Sequence, residues 1–339
     1  MSKICPGRIK TFSLAYKAED NPDIPFAKKV SQLFNTEHYE YELSINEIID
    51  SLDNIIHHFD EPFAGVISNY FLTNLISKHV KVALSGDGAD ELFASYLSHR
   101  LTYPIHNYIN AKRSGNLSNI DWQTFENGNT DFVIKNAKVN IWDWRSGLFP
   151  FNDDDKKYLF NEKFNFSTKR LIKKIFSECT AADPLNQMLE MEIQTQLTDQ
   201  VLTYVDRLSM AHSVEIRCPF LDQVFAEKAA KVHGNLKIKG STTKYIFKKL
   251  AEKVLPKDII YRPKKGFILP FHKWFKHEMK DIVLTTLNKQ NIKKTGYLNY
   301  EYVNNILNEF YGYKRDNTYR IWTLMMFVLW QKKYFPNGL

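Results

Sequence analysis

The chain has 339 residues, 44% of them hydrophobic, and a formal net charge of +8; that is enough to bury a sizeable core in two lobes or one enlarged α/β domain, and it excludes a disordered or fibrous protein. No apolar run reaches the ~20 residues that span a bilayer and the N-terminus lacks a charged-then-apolar leader pattern, so the expected compartment is the cytoplasm. Cys5, Cys179 and Cys218 are odd in number and too widely spaced for a zinc cluster, which argues for reduced thiols rather than a disulfide framework.

Residues 9 to 16 alternate as a strand, and Pro25 with Phe26, Ala27, Val30, Leu33 and Phe34 gives a helix with an apolar face. Residues 37 to 43 return as a strand. Ser44 and Glu47 form a capping box ahead of Ile45, Ile48, Ile49, Leu52, Ile55 and Ile56, and Asp60-Glu61-Pro62 stops that helix. A further helix over about 66 to 78 precedes a strand ending at Leu84. This alternation predicts a doubly wound, mostly parallel sheet, whose ligands bind beyond the carboxyl ends of the strands. From 101 to 182 the periodicity gives way to an aromatic-rich stretch with Trp122, Trp142, Trp144, Phe149 and Phe151, read as an insertion or lid. Asp183 and Pro184 then open a long helical pattern through Leu208, and helices over roughly 242 to 254 and 300 to 332 make the C-terminal part largely helical. The expected organisation is an α/β core over 1–100, the insertion over 101–182 and a helical remainder over 183–339.

The most informative stretch is residues 80 to 96, where an apolar strand runs into Ser85-Gly86-Asp87-Gly88 and then a helix. Gly86 and Gly88 permit a tight turn and close approach of a ligand, and the first N–H groups of a helix lack internal partners, so phosphate is the natural occupant. Asp87, Asp90 and Glu91 would repel a polyphosphate unless Mg²⁺ or basic side chains intervene. The alternative at this stage is an ordinary loop whose acidic residues complement the helix dipole. A dinucleotide fingerprint is excluded because Glu91 stands where a third glycine is needed, and no Gly-x-x-x-x-Gly-Lys-Ser/Thr occurs.

The basic charge is concentrated. Residues 228 to 265 hold 12 Lys/Arg against Glu252 and Asp258, so the remainder of the chain sums to about −2. One basic segment and one acidic turn suit a polyphosphate pocket better than a nucleic-acid groove, although 18 tyrosines, 24 phenylalanines and 6 tryptophans could stack on bases.

Three motifs then occur in a familiar order: Leu84-Ser-Gly-Asp-Gly-Ala-Asp-Glu-Leu-Phe, Asp206-Arg-Leu-Ser-Met-Ala-His through Glu215-Ile-Arg-Cys-Pro-Phe-Leu-Asp222, and Arg262-Pro-Lys-Lys-Gly-Phe. With Lys10-Thr-Phe-Ser and Asp60-Glu-Pro-Phe, they resemble the synthetase domain of glutamine-hydrolysing asparagine synthetases from about residue 9 to at least 275. The resemblance implies an ATP-pyrophosphatase-type fold. It implies that ATP activates the aspartate side chain as an adenylate, releasing pyrophosphate, before ammonia attacks. In that chemistry positioning and cationic stabilisation dominate. By the same resemblance Lys264 faces the α-phosphate and leaving group, Ser85 and Gly86 contact the nucleotide, Leu14 offers backbone groups to adenine, and Asp87 is the acidic residue needed for adenylate formation. Lys244 is a second basic candidate. Asp90 is the candidate Mg²⁺ ligand, or else a carboxylate that favours the helix dipole. Arg207, Glu215, Arg217 and Asp222 are expected in buried structural pairs. Ala94-Ser95 replaces the family's common Gly-Gly.

Two family features are not found in the 339 residues: Ser2 follows Met1 where a glutaminase would carry cysteine, and no Ser-Gly-Gly occurs. The expectation is a truncated or split chain, with an unpaired sheet edge that favours self-association or binding of the absent N-terminal segment, and with ammonia coming from glutamine through a missing or separate glutaminase domain. A non-catalytic remnant of the same fold and a nucleic-acid-binding protein stand as alternatives.

Overall fold

The computed structural model describes residues 1–16, 23–119, 140–162, 166–263 and 269–336. The chain divides into two compact units, one of Met1–Leu84, Thr203–Arg217 and Arg262–Leu339, the other of Ser85–Leu202 and Cys218–Tyr261.

In the first unit, β1 (Lys10–Tyr16) and β2 (Glu37–Leu43) run parallel, in register from Lys10 with Glu37 to Tyr16 with Leu43. The connection between them contains α1 (Ile24–Leu33), as parallel strands require a crossover. The capping box that opens α2 (Ile45–Phe59) is complete: the Glu47 N–H donates to Ser44 Oγ at 3.3 Å and the Ser44 N–H donates to Glu47 Oε2 at 3.0 Å. Ile48, Leu52, Ile55, Ile56 and Phe59 recur at helical spacing and are buried. The helix ends at Asp60, whose φ of 57° is left-handed. From α3 (Ser68–Ser77), Thr73 Oγ1 donates to Leu208 O at 3.0 Å, tying α3 to the helix Thr203–Met210. The helices Tyr300–Tyr311 and Thr318–Tyr334 complete this unit, with Asn317 Nδ2 donating to Ile306 O at 3.0 Å across their connection.

A second parallel pair joins β3 (Val82–Leu84) to β4 (Glu215–Arg217). Parallel pairing is thus what the strand–helix alternation foretold. Among the described residues, however, the strands form two pairs rather than one sheet. β4 is three residues long and carries an exposed Arg217 Nε–Glu215 Oε1 pair at 2.8 Å, so these two side chains do pair, but at the surface rather than in the core. Asp222 caps the helix Gln223–Ala230 by accepting from the Phe225 N–H at 3.1 Å. Arg207 Nη1 donates to the Phe59 carbonyl.

In the second unit, Leu101, Ile105, Ile109, Trp144, Ile172, Phe176, Met188 and Met191 form one core cluster, each large apolar side chain contributing about 1.5–3 kcal/mol on burial. They come from α5 (Leu97–Ser114) and from the helices Ile141–Ser146, Thr168–Glu178 and Pro184–Glu192. The stretch after 100 is therefore helical where described; Trp122 lies outside the described residues. The long helix expected from Pro184 to Leu208 is not uniform: Ile193–Leu202 winds as a π-helix between two α-helical segments. Such a widening is rare, is frequently found at functional sites, and is not revealed by side-chain periodicity.

Candidate functional site

β3 leads at Leu84 into the Ser85–Gly88 turn and then into α4 (Ala89–Phe93), which begins the second unit. Gly88 has φ +88°, and a Cβ there would lie 2.3 Å from Leu221 Cδ2, so both conformation and space demand glycine. A Cβ at Gly86 would meet nothing within 4 Å; lacking one, the turn keeps its backbone open to an incoming group. α4 is only five residues long, so the anion attraction expected here rests on a few N–H groups rather than on a long helix dipole.

Ser85 Oγ donates to Asp87 Oδ2 at 2.7 Å and lies 3.4 Å from Cys218 Sγ. Burial pushes the Asp87 carboxyl above its usual range; the Ser85 hydroxyl opposes that shift and the nearby Asp90 adds to it. Burial likewise pushes the Cys218 thiol up, with the Ser85 hydroxyl opposing the shift. Asp90 is engaged by two groups: Lys244 Nζ lies 2.7 Å from Oδ1, and Ser95 Oγ donates to the same oxygen. The Lys244 N–H in turn donates to Ala94 O at 3.1 Å, and Lys244 holds a left-handed φ of 53° at the start of the helix Tyr245–Ala251. Ala94 itself has φ 66°, a conformation that favours glycine.

The structure thus gathers Ser85, Gly86, Asp87, Asp90 and Lys244 within the second unit. Leu14 is buried on β1 of the first unit, 5% exposed. Lys264 lies outside the described residues. As arranged, Asp90 offers its charge to Lys244, and among the described residues no group of three His, Cys, Asp or Glu is placed to hold a metal. The fit to Mg²⁺ is therefore partial: Asp87 and Asp90 could supply the one or two carboxylates that Mg²⁺ takes alongside phosphate oxygens. Other lysines of the basic segment lie over tyrosine rings, Lys239 at 5.1 Å from the Tyr245 centroid and Lys248 at 5.6 Å from that of Tyr261.

Sequence reasoning missed Ser95, which ties the turn to Asp90, and a buried group behind it. His99 Nε2 lies 2.7 Å from Glu192 Oε2, and Arg145 Nε donates to Glu192 Oε1 at 2.8 Å. His99 and Glu192 are fully buried. Burial alone would raise the Glu192 carboxyl, but the hydrogen bond from His99 and the Arg145 guanidinium outweigh it and hold it below its usual range. The replacement of Gly-Gly by Ala94-Ser95 was the signal available in sequence; His99, Arg145 and Glu192 are 46 and 47 residues apart in sequence and gave none. No helix among the described residues is long and apolar enough to cross a membrane.

The asparagine synthase family model matches residues 1–332. Asparagine synthetase (glutamine-hydrolyzing) 1 of Bacillus subtilis is 31% identical over 353 aligned residues, covering 98% of this chain and 54% of that protein. A putative asparagine synthetase (glutamine-hydrolyzing) of Mycobacterium bovis is 25% identical over 340 residues, covering 98% and 52%. The chain spans about half the length of these curated relatives. Matched along nearly all of its own length, it belongs to the asparagine synthase family.

Proposed function

We propose that the chain is the adenylating part of an asparagine synthetase-like ligase, which amidates aspartate through a β-aspartyl-adenylate and releases AMP and pyrophosphate. The observation that carries this reading is the Ser85–Gly88 turn: an open glycine backbone, a hydroxyl-held carboxylate at Asp87, and the Lys244–Asp90 pair beside it. Phosphate groups and a carboxylate being activated both need cations and N–H donors there. Ser85 and Gly86 contact the nucleotide in this reading, and Leu14 serves adenine from β1. Lys244 and Lys264 supply positive charge to the phosphates, and Asp87 is the acidic residue of adenylate formation. Asp90 would hold Mg²⁺, which would supply positive charge to the phosphates, in place of its pairing with Lys244. Ammonia comes from glutamine through a glutamine-hydrolysing part carried elsewhere, and the chemistry is cytoplasmic.

The partner reading rests on β3. Among the named strands it pairs with β4 alone and leaves Val82 and Leu84 half-exposed, although parallel strands are ordinarily covered on both faces. A further parallel strand from a glutamine-hydrolysing partner, or from a second copy, would cover them.

The test is aspartate-dependent exchange of labelled pyrophosphate into ATP with Mg²⁺, comparing the folded chain with Lys264→Ala and Asp87→Ala. Exchange that both substitutions abolish is the expected result. Exchange that neither abolishes would overturn the assignment of roles. A folded chain inactive alone and also inactive with the N-terminal half of a relative added in trans would make it a non-catalytic member of the family.

A further inference from the structure

We infer that His99, its tautomer fixed by Glu192, is a positioning residue that holds the Ala94–Tyr96 turn and through it aims the Asp90–Lys244 pair. The inference rests on the nucleotide reading above and goes beyond it to a residue outside the site.

His99 Nδ1 accepts from two backbone donors, the Ser95 N–H at 3.0 Å and the Tyr96 N–H at 3.3 Å. A nitrogen that accepts carries no proton, so the ring proton is on Nε2, directed at Glu192 Oε2 at 2.7 Å. Glu192 permits only this arrangement, because a lone pair on Nε2 would face a carboxylate at a fully buried position. Its second oxygen takes Arg145 Nε, so the buried set pairs one carboxylate with one guanidinium around a neutral ring. A charged His99 would turn Nδ1–H against two N–H donors. The ring therefore functions as a fixed acceptor.

What it fixes is a turn that would not otherwise persist. Ala94 sits at φ 66°, ψ 120°, a strained backbone for a residue with a side chain, and such strain survives only where its surroundings impose it. Three bonds converge here: Ser95 Oγ to Asp90, the Lys244 N–H to Ala94 O, and Tyr96 OH to Glu91 Oε1 at 2.6 Å. Loosening the two amides held by His99 frees Ser95, then Asp90, then the seat of Lys244. His99 touches none of the turn 85–88; it acts through backbone.

Two substitutions separate the ring's two nitrogens. In His99→Asn the side-chain oxygen reaches the Nδ1 position and keeps the acceptor; in His99→Gln the amide reaches the Nε2 position and keeps the Glu192 contact but loses the acceptor. The readouts are amide hydrogen exchange at Ser95 and Tyr96, and the Kd for ATP with Mg²⁺. The expected result is slow exchange and near-wild-type affinity in the Asn variant. The Gln variant should show fast exchange and an affinity lower by roughly 10- to 100-fold, as for other residues that orient a site from behind. A folded Gln variant with unchanged exchange overturns the inference, as does one with fast exchange and unchanged affinity. Should both variants fail to fold, Ser95→Ala decides: it leaves the buried set intact, and an unchanged Kd there sinks the proposed linkage. Wild type that binds no nucleotide defeats the parent reading and the aiming role with it, while exchange at the two amides still tests whether His99 holds the turn.

Discussion

Two carboxylates of the same unit, Asp87 and Glu192, are shifted in opposite directions, and the more deeply buried one is shifted down. Glu192 is wholly inside yet held below its usual range, because His99 and Arg145 meet its two oxygens. Asp87 is less buried yet raised, because one serine hydroxyl is set against burial and the neighbouring Asp90. Burial sets the penalty, and partners decide the sign. The Glu192 region is internally satisfied and has no charge left to give a ligand. The Asp87 region is under-compensated, as expected of a place that awaits cations or a substrate.

The largest effect should come from breaking the satisfied side. Glu192→Ala leaves Arg145 and His99 buried without their shared partner and is expected to cost about 3–5 kcal/mol of stability, measured by urea unfolding. Loss below about 1 kcal/mol would show that the buried set contributes nothing net. The linked pH dependence has a definite sign. A carboxylate whose folded pKa is depressed below its unfolded value of 4.5 gives stability that is present above that value and lost as pH falls through the folded pKa. Glu192→Gln should flatten that acid limb.

Gly88→Ala attacks the turn itself. The new Cβ would sit at φ +88° and 2.3 Å from Leu221 Cδ2, so roughly 2–4 kcal/mol should be lost from strain and displaced packing. Gly86→Ala, with open space around it, should leave stability nearly unchanged. Equal losses at both positions would show that the geometry distinguishing the two glycines is not what matters.

What sequence could reach follows from locality. β1, β2, α1 and the capped α2 were legible because period, Ser44, Glu47 and Pro62 act within a few residues of one another. The Ser85-Gly-Asp-Gly turn was legible because glycines with acids between a strand and a helix have few other uses. The division of the strands into two pairs was not, because β4 is three residues flanked by charge and only its partner β3 defines it. The His99–Glu192–Arg145 set was hidden for a related reason: three polar residues on three different helices carry no joint period. Asp90 lay between these cases. Its place in the motif was plain, but its pairing with Lys244, across more than 150 residues, required the fold.

Asp87→Asn tests the under-compensated side. A carboxylate raised above its unfolded value favours the folded state below the unfolded pKa, and that contribution is lost as pH rises through the folded pKa. At pH 7 the substitution should therefore leave stability equal to wild type or above it, within about 1 kcal/mol, while abolishing pyrophosphate exchange. The excess over wild type should shrink toward pH 4. A destabilised Asp87→Asn would make the carboxylate structural, and the contrast with Glu192 would collapse.

The smallest effect is expected at Ala94, where both regions meet. Glycine there relieves a conformation costing about 1–3 kcal/mol for a side-chain-bearing residue. It also removes a buried methyl worth about 0.8 kcal/mol against Leu185 and Leu189 and adds about 0.5–1 kcal/mol of backbone entropy to the unfolded chain. These terms nearly cancel, so Ala94→Gly should stay within about 1 kcal/mol of wild type, on the stabilising side. The informative readout is hydrogen exchange at Ser95 and Tyr96. If strain at Ala94 is what His99 restrains, those amides should exchange no faster with glycine in place. Faster exchange would mean that the Ala94 side chain, rather than the histidine acceptor, keeps the turn closed.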